Sequence, residues 1–131
     1  MGAAMNERAP DLLRLEVHGI ETDVLTGIYS EETRLPQPLR ISVVADMRAP
    51  ADPFQPDTPL SASKNYMDLR RAATDALPRD RHFTLIEAVA DHIVDTVMFD
   101  PRILRVEVKI VKLAISEGGE EIGMTLVRSR P

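Results

Sequence analysis

The segment Phe83-Thr84-Leu85-Ile86-Glu87 opens the helical pattern around which the rest of the chain can be arranged. Thr84 is a favourable N-cap residue, and Glu87 three residues later completes the Thr-x-x-Glu pattern of a capping box. Apolar residues then recur at helical spacing as far as Met98. Asp100-Pro101 should end the run, because a residue before proline disfavours the helical conformation. The segment therefore predicts a helix with one buried face.

Glu87 has two interpretations at this position. In the first, it is a capping residue that serves only the start of the helix. In the second, it is a ligand-binding carboxylate beside free backbone N–H groups, where the edge of a planar amide or guanidine-like group can be clamped. The pattern alone leaves both interpretations open.

Length and composition describe one domain with an aliphatic core. The chain has 131 residues, of which 44% are hydrophobic and 4% aromatic. We expect residues 1–11 to form a flexible tail and residues 12–131 a single domain. The net charge of −5 argues against a nucleic acid or an anionic membrane as a partner, and no apolar run approaches a membrane span. The absence of cysteine and of a signal-peptide pattern makes a cytoplasmic location the expectation.

Alternating apolar and polar residues predict strands on both sides of the helical region. They run from Leu13 past Gly19, from Leu39 to Ala45, from Val106 to Lys112 and from Ile122 to Leu126. A first helix is predicted from Asn65 to Pro78, after a loop at residues 49–63 that contains four prolines. The order predicts an α+β fold, a four-stranded antiparallel sheet with two helices on one face (ββααββ).

The predicted sheet has two features that favour assembly. A sheet of this kind leaves two unpaired edges. Val44 and Val111 also place apolar side chains on the face that is otherwise polar. We therefore expect the sheets of several subunits to join edge to edge in a larger barrel.

Lys112 is the most informative residue for chemistry. Counting by twos from Val106 places Lys112 on the apolar side of its strand, at the strand's end. There its ammonium could serve as a general acid or base. Alternatively, the strand ends one residue earlier and the Lys112 side chain extends to water.

Other polar residues have weaker signals. Tyr66, beside Asn65 at a helix start, is either a packing residue or a phenol that transfers a proton. Glu31 and Glu32 are either solvated loop charges or groups that order a substrate hydroxyl or water. The three histidines lack the spacing of metal ligands, so no metal or other cofactor is predicted.

Taken in order, these residues resemble the dihydroneopterin aldolase family and its sister group, the dihydroneopterin triphosphate epimerases. The resemblance covers roughly residues 12–129 and rests on Thr84 to Glu87, Asn65-Tyr66, Gly27 to Glu32 with Gln37, and Lys112 before a loop. It implies the tunnelling fold, in which ββααββ subunits assemble around a barrel. It also implies a homo-oligomer, a tetramer or octamer, with active sites at subunit interfaces.

The resemblance implies a role for each site residue. Glu87 grips the amino group and adjacent N–H of a pterin ring, and the backbone N–H of Ile86 meets the ring carbonyl. Lys112 is catalytic, together with Glu32 and with Tyr66 from the adjacent subunit. The other substrate-binding residues are Leu85, Asn65, Gly27 and Ile28.

The implied activity belongs to folate and pterin metabolism. It is the retro-aldol cleavage of dihydroneopterin to hydroxymethyl-dihydropterin and glycolaldehyde, without a cofactor. An alternative is epimerisation in the same site, and an alternative from another class is a catalytically inactive pterin-binding ring. Lys112-Leu113 replaces the usual Lys-Pro of the aldolases, and Thr26 replaces a frequent histidine. The Lys-Leu pair and the Met124-Thr125-Leu126 ending are nearer to the epimerase group.

Overall fold

The predicted strands form one antiparallel sheet in the computed structural model, which describes residues 10–28 and 35–131. The strands lie side by side in chain order. They are β1 (Leu12–Val24), β2 (Gln37–Arg48), β3 (Ile103–Lys112) and β4 (Gly123–Ser129). Between β2 and β3 come two helices, α1 (Tyr66–Ala72) and α2 (Ile86–Met98). Of the predicted tail, residues 1–9 lie outside the described ranges.

The core lies between the sheet and the helices. Alternate residues of β2 and β3, such as Ile41, Val43 and Val108, are fully buried, as strand geometry requires when one face is covered. They pack with residues of α1 and α2, such as Leu69 and Ile93, in one cluster. The predicted α+β class and ββααββ order are confirmed. Within the described ranges, neither helix is long and apolar enough to cross a membrane.

β1 runs through Gly19 as one bent strand, as predicted. Its pairing with β2 shifts register between Val17 and Ile20. Gly19 has a φ of 78°, a backbone angle that residues other than glycine rarely adopt. Its N–H donates to Ser42 Oγ at 3.1 Å. The glycine therefore supplies a β-bulge that bends β1 without ending it.

The predicted capping box at the start of α2 is wrong. The N-cap residue is Leu85, in an extended conformation and without a side-chain cap. The reason is a tertiary contact: the Phe83 N–H donates to Leu25 O at 2.8 Å, and the Gly27 N–H donates to Phe83 O at 3.1 Å. This pairing holds Phe83 against the end of the β1 segment, and Leu85 is still extended, so the helix begins at Ile86, later than local capping predicts.

α1 is shorter than predicted, because it ends at Ala72 instead of continuing to Pro78. The Thr74 hydroxyl donates to Arg70 O at 2.9 Å, and Arg71 O accepts from the N–H groups of Thr74 and Ala76. Side-chain competition for helical carbonyls favours such turns over a continued helix. The start was predicted correctly, since Asn65 is the N-cap and its Oδ1 accepts from the Met67 N–H at 2.9 Å.

The two valines that were predicted on the otherwise polar face, Val44 and Val111, lie on the sheet face away from the helices. Val44 and Val111 pair with Glu107 and Arg40, respectively, and both valines are buried. In the described residues no strand pairs with the outer edge of β1 or of β4. The edge-to-edge barrel stays a prediction.

Gly123 is required by close packing at the start of β4, and this gives a first prediction. A Cβ atom at Gly123 would meet the carbonyl oxygen of Ile110 on β3. We expect Gly123→Ala to lower the free energy of unfolding by about 1–3 kcal/mol, since backbone atoms must move. Denaturant unfolding measures this loss. Gly118→Ala is the control, because its Cβ would meet only the flexible end of Glu120; equal losses in both variants would contradict the packing argument.

Candidate active site

A hollow of about 260 Å³ lies where the first turn of α2 meets the ends of β3 and β4. It contains both Glu87 and Lys112, which are distant in the sequence and belong to different elements. The remaining lining residues come from three short segments and are Thr26, Gly27, Ile28, Thr84, Leu85, Ile86, Ile122, Gly123 and Met124. Five of the predicted substrate-binding residues, Glu87, Ile86, Leu85, Gly27 and Ile28, therefore share this hollow with Lys112.

One wall of the hollow is held by the contact between Phe83 and residues 25–27. Thr26 and Phe83 form a parallel β-bridge outside the main sheet. Gly27 directly follows this bridge with a φ of 129°, a conformation that strongly favours glycine. The turn at Gly27 thus sets the backbone of Gly27 and Ile28 beside Leu85 at the helix start.

The start of α2 presents backbone donors next to a carboxylate. Leucine has no side-chain acceptor, so Leu85 caps none of the first N–H groups of the helix. The Ala88 N–H is bonded to Leu85 O at 3.1 Å, which leaves the N–H groups of Ile86 and Glu87 as the donors nearest the hollow. Together with the Glu87 carboxylate, they match a planar group that has a carbonyl beside N–H donors.

Lys112 is the last residue of β3, so the strand continues as far as the predicted pattern requires. It pairs with the buried Leu39 across the sheet, and its N–H donates to Ile122 O at 2.8 Å. Its side chain is half-buried and lines the hollow on the helix side of the sheet. The Lys112 side chain therefore lines the same hollow as the first turn of α2.

Asn65 and Tyr66 lie elsewhere in the subunit. Tyr66 is 58% exposed and lines a separate hollow with Leu13, Phe54 and Leu60. Within one chain, the structure does not bring Tyr66 to Lys112. The resemblance assigned Tyr66 to the site of an adjacent subunit, and that assignment stays a prediction. Glu31 and Glu32 lie outside the described residues.

A cluster of charged residues fixes the chain just before Tyr66, and the sequence patterns did not indicate it. Arg102 Nη1 donates to the carbonyls of Ser63 at 2.8 Å and Ser61 at 3.1 Å. Asp100 Oδ2 accepts from Arg102 at 2.9 Å and from Lys64 at 3.0 Å. Asp100 therefore ties the end of the proline-rich loop to the end of α2. Within residues 10–28 and 35–131, no group of three or more acidic or histidine side chains is placed to hold a metal ion.

The Asp100 cluster predicts a pH dependence of stability. Hydrogen bonds from Arg102 and Lys64 hold the pKa of the Asp100 carboxyl well below its usual range. A lowered folded-state pKa stabilises the fold above the unfolded value of about 3.9, and this contribution is lost as the pH falls below it. We expect Asp100→Asn to be about 1–3 kcal/mol less stable than the parent at pH 7, with a smaller difference at pH 2–3.

The measurement is denaturant unfolding of both proteins across this pH range. Asp75→Asn is the control, since Asp75 is exposed and lies outside this cluster. A difference between parent and Asp100→Asn that does not change from pH 7 to pH 2–3 would contradict the role of the ionised carboxylate.

Comparison with known proteins agrees with this fold. The family model of dihydroneopterin aldolase (FolB) matches residues 15–127. No curated protein is similar enough in sequence to count as a match.

Three solved structures share the fold. A candidate dihydroneopterin aldolase (FolB) from Vibrio cholerae has a TM-score of 0.74 and 16% identity over 94% of this chain and 100% of its own. Dihydroneopterin aldolase from Burkholderia thailandensis, bound to guanine, has a TM-score of 0.75 and 17% identity over 92% and 93%. The Escherichia coli enzyme, in complex with neopterin, has a TM-score of 0.69 and 15% identity over 91% and 99%.

The fold is thus the tunnelling fold, with a hollow at the start of its second helix. The chain belongs to the dihydroneopterin aldolase (FolB) family. Among the lining residues, Thr26, Thr84, Ile122, Gly123 and Met124 were not predicted as site residues. The sequence signals that could have suggested them are the positions of Thr26 next to Gly27 and of Thr84 next to Leu85, and the position of residues 122–124 at the start of β4.

Proposed function

We propose that the protein is a dihydroneopterin aldolase-type enzyme, which cleaves dihydroneopterin to hydroxymethyl-dihydropterin and glycolaldehyde. The observation that carries the proposal is the shared hollow, in which the Glu87 carboxylate and the Lys112 side chain line one space of about 260 Å³. A carboxylate next to helix N–H groups suits recognition of a flat heterocycle, and an amine opposite it suits proton transfer.

Glu87 and Ile86 would recognise the ring. The Glu87 carboxylate accepts from the ring's amino group and the neighbouring N–H, while the Ile86 N–H donates to the ring carbonyl. Guanine and neopterin, named as ligands of the Burkholderia and Escherichia coli relatives, both have this edge. Ile28 and Leu85 are large, exposed apolar residues at the hollow and would contact the faces of the ring.

The reaction uses the ring itself as the electron sink. Protonation of the C=N bond of the dihydropterin makes it electron-poor, so a Schiff base with Lys112 is not needed. A base takes the proton of the side-chain hydroxyl, the carbon–carbon bond breaks, and its electron pair enters the C=N system. This releases glycolaldehyde and leaves an enamine, which is protonated on carbon to give hydroxymethyl-dihydropterin.

Three residues would move or position these protons. Lys112 would handle the protons of the hydroxyl and the ring, as a general acid–base at the end of β3. Tyr66 would assist protonation of the enamine. Glu32, which lies outside the described residues, would order the substrate hydroxyl or water.

The site would be completed by a neighbouring subunit. The hollow is slightly smaller than the about 300–1,000 Å³ of typical ligand pockets. It lies at β4, one outer strand of the sheet, while Tyr66 lies beside Leu13 of β1, the other outer strand. Leu13 and Lys112 lie at opposite ends of the sheet. Joining β4 of one subunit to β1 of the next, with the two strands offset along their length, would bring Tyr66 and Asn65 toward Lys112 in a closed ring, a tetramer or a stacked octamer.

Epimerase activity is the second candidate. Lys112 is followed by Leu113 and a short 3₁₀ turn, Leu113–Ile115, where the aldolases usually have Lys-Pro. Epimerisation would be the same cleavage, reversed on the other face before glycolaldehyde leaves. The balance between the two activities would therefore depend on how long the products are retained.

Incubation with dihydroneopterin, followed by chromatography, tests the proposal. Hydroxymethyl-dihydropterin with an equal amount of glycolaldehyde is the expected result. If the altered side-chain stereoisomer is the sole product, the activity is that of an epimerase and not of an aldolase. Unchanged substrate, in a protein that still binds neopterin, would contradict both and favour the inactive pterin-binding ring. Light scattering in the same buffer measures the oligomer, and a monomer at micromolar concentration would exclude an interface site.

A further inference from the structure

Thr26 carries a buried hydroxyl that the proposed chemistry does not use. The residue has a relative solvent exposure of 0%, and within the described residues its Oγ1 has no hydrogen-bond partner. Buried polar atoms in native proteins are nearly always hydrogen-bonded, and an unmatched one is destabilising. Thr26 therefore retains an unfavourable group where the similarly shaped valine would fit.

The backbone on both sides of Thr26 is hydrogen-bonded to Phe83. Leu25 O accepts from the Phe83 N–H at 2.8 Å, and the Gly27 N–H donates to Phe83 O at 3.1 Å. This parallel bridge fixes the position of Thr26 against the start of α2. The unmatched hydroxyl is thus located by a rigid contact and does not result from a loosely packed segment.

Thr26 also lines the hollow that contains Glu87 and Lys112. The other buried polar atom without a partner in the described part of the chain is His92 Nδ1. The His92 ring packs edge-on against Phe83, with 6.2 Å between the ring centroids, and it does not line this hollow. Of the two residues with an unmatched buried polar atom, only Thr26 lines the hollow.

We propose that Thr26 is a substrate-binding residue, whose hydroxyl forms a hydrogen bond with a polar atom of the bound heterocycle. This inference rests on the proposed function and adds a contact to it. The Glu87 carboxylate can only accept, and helix N–H groups and an ammonium can only donate, whereas a hydroxyl can do either. The Thr26 hydroxyl can therefore pair with either a donor or an acceptor on a ring edge that Glu87 does not contact. Its oxygen is shielded from solvent, so contact requires rotation about Cα–Cβ between staggered positions.

Thr26→Val tests the inference, because it keeps the shape and removes the hydroxyl. Loss of an unmatched buried hydroxyl should raise the melting temperature of the full-length protein by about 3 °C or more. Loss of a ligand hydrogen bond should weaken neopterin binding, measured by calorimetry, by about three- to tenfold. A stabilised variant with weaker binding separates a ligand contact from a structural role.

Two matched variants sharpen the experiment. Thr26→Ser keeps the hydroxyl and should bind neopterin as tightly as the parent. Thr96→Val removes a threonine hydroxyl on an exposed part of α2, where Oγ1 donates to His92 O at 2.9 Å away from the hollow. Its neopterin affinity should equal that of the parent.

The outcomes are distinct. Weaker binding by Thr26→Val, without a lower melting temperature and with restored affinity in Thr26→Ser, supports the inference. Unchanged affinity in Thr26→Val overturns it, and so does a fall in both affinity and melting temperature, since local disruption explains that pair. If the parent itself neither binds neopterin nor forms product, the proposed function fails and the inference fails with it. Binding by the parent with unchanged Thr26→Val affinity overturns the inference alone.

Discussion

Replacement of Lys112 by alanine is expected to lower the turnover of dihydroneopterin by about 10²–10⁴-fold, the range for loss of a general acid–base group. Neopterin binding should change little, because the proposed contacts to the ring edge come from Glu87 and Ile86 on α2 and not from Lys112. Product formation measures turnover, and calorimetry measures binding. Full activity in Lys112→Ala would contradict the assigned role.

Lys109→Ala is the matched control. Lys109 lies on the same strand, β3, but on the other face of the sheet, where its ammonium contacts Glu121 at 3.3 Å. The control variant removes an exposed lysine without touching the hollow. Its turnover should therefore equal that of the parent, and a similar loss in both variants would indicate damage to the strand.

Subunit mixing tests whether Tyr66 acts in the neighbour's site. Lys112→Ala and Tyr66→Phe should each be nearly inactive alone. In rings reassembled from equal amounts of both, about one quarter of the interfaces should combine an intact Lys112 with an intact Tyr66 across a head-to-tail contact. The mixture should then recover about that fraction of the parent turnover. No recovery in verified mixed rings would exclude the shared site.

Replacement of Glu87 by glutamine is expected to weaken neopterin binding by about 10–100-fold, because one charge-assisted pair of hydrogen bonds becomes a single neutral bond. Stability should change little, since Glu87 is exposed and makes no side-chain cap at the start of α2, where Leu85 is the N-cap residue. Calorimetry measures the affinity, and thermal unfolding measures the stability. If Glu87→Gln binds neopterin as tightly as the parent does, the proposed role of Glu87 in recognising the ring is wrong.

A second ligand and a second variant complete this test. A pterin analogue with an oxo group in place of the amino group cannot donate to Glu87 in the same way. The preference of the parent for neopterin over this analogue should be lost in Glu87→Gln. Asp95→Asn neutralises an exposed carboxylate farther along α2, outside the hollow, and should retain the parent preference.

Much of the fold follows from simple periodicity. Alternation predicted the strands because one face of the sheet is covered by helices, and the same alternation placed Lys112 on the helix side. The start of α2 could not be predicted locally, because the bridge between Thr26 and Phe83 overrides the Thr84 capping signal. A single parallel bridge between distant segments has no periodic signature.

Part of the candidate site could also be predicted from the sequence. The resemblance selected Glu87, Ile86 and Lys112, and these residues do converge on one hollow. Asp100 and its partners were missed because ion pairs between a loop and a helix end depend on tertiary proximity, which residue spacing does not encode. The roles of Tyr66 and Glu32 stay predictions.

The bridge at Phe83 also has a dynamic consequence. Because it joins the turn at Gly27 to the entry of α2, these two sides of the hollow should behave as one rigid body. The amides of Phe83 and Gly27 would then exchange with solvent only when both sides separate. The proposed heterocyclic ligand would consequently meet a preformed slot, with little induced closure on this side.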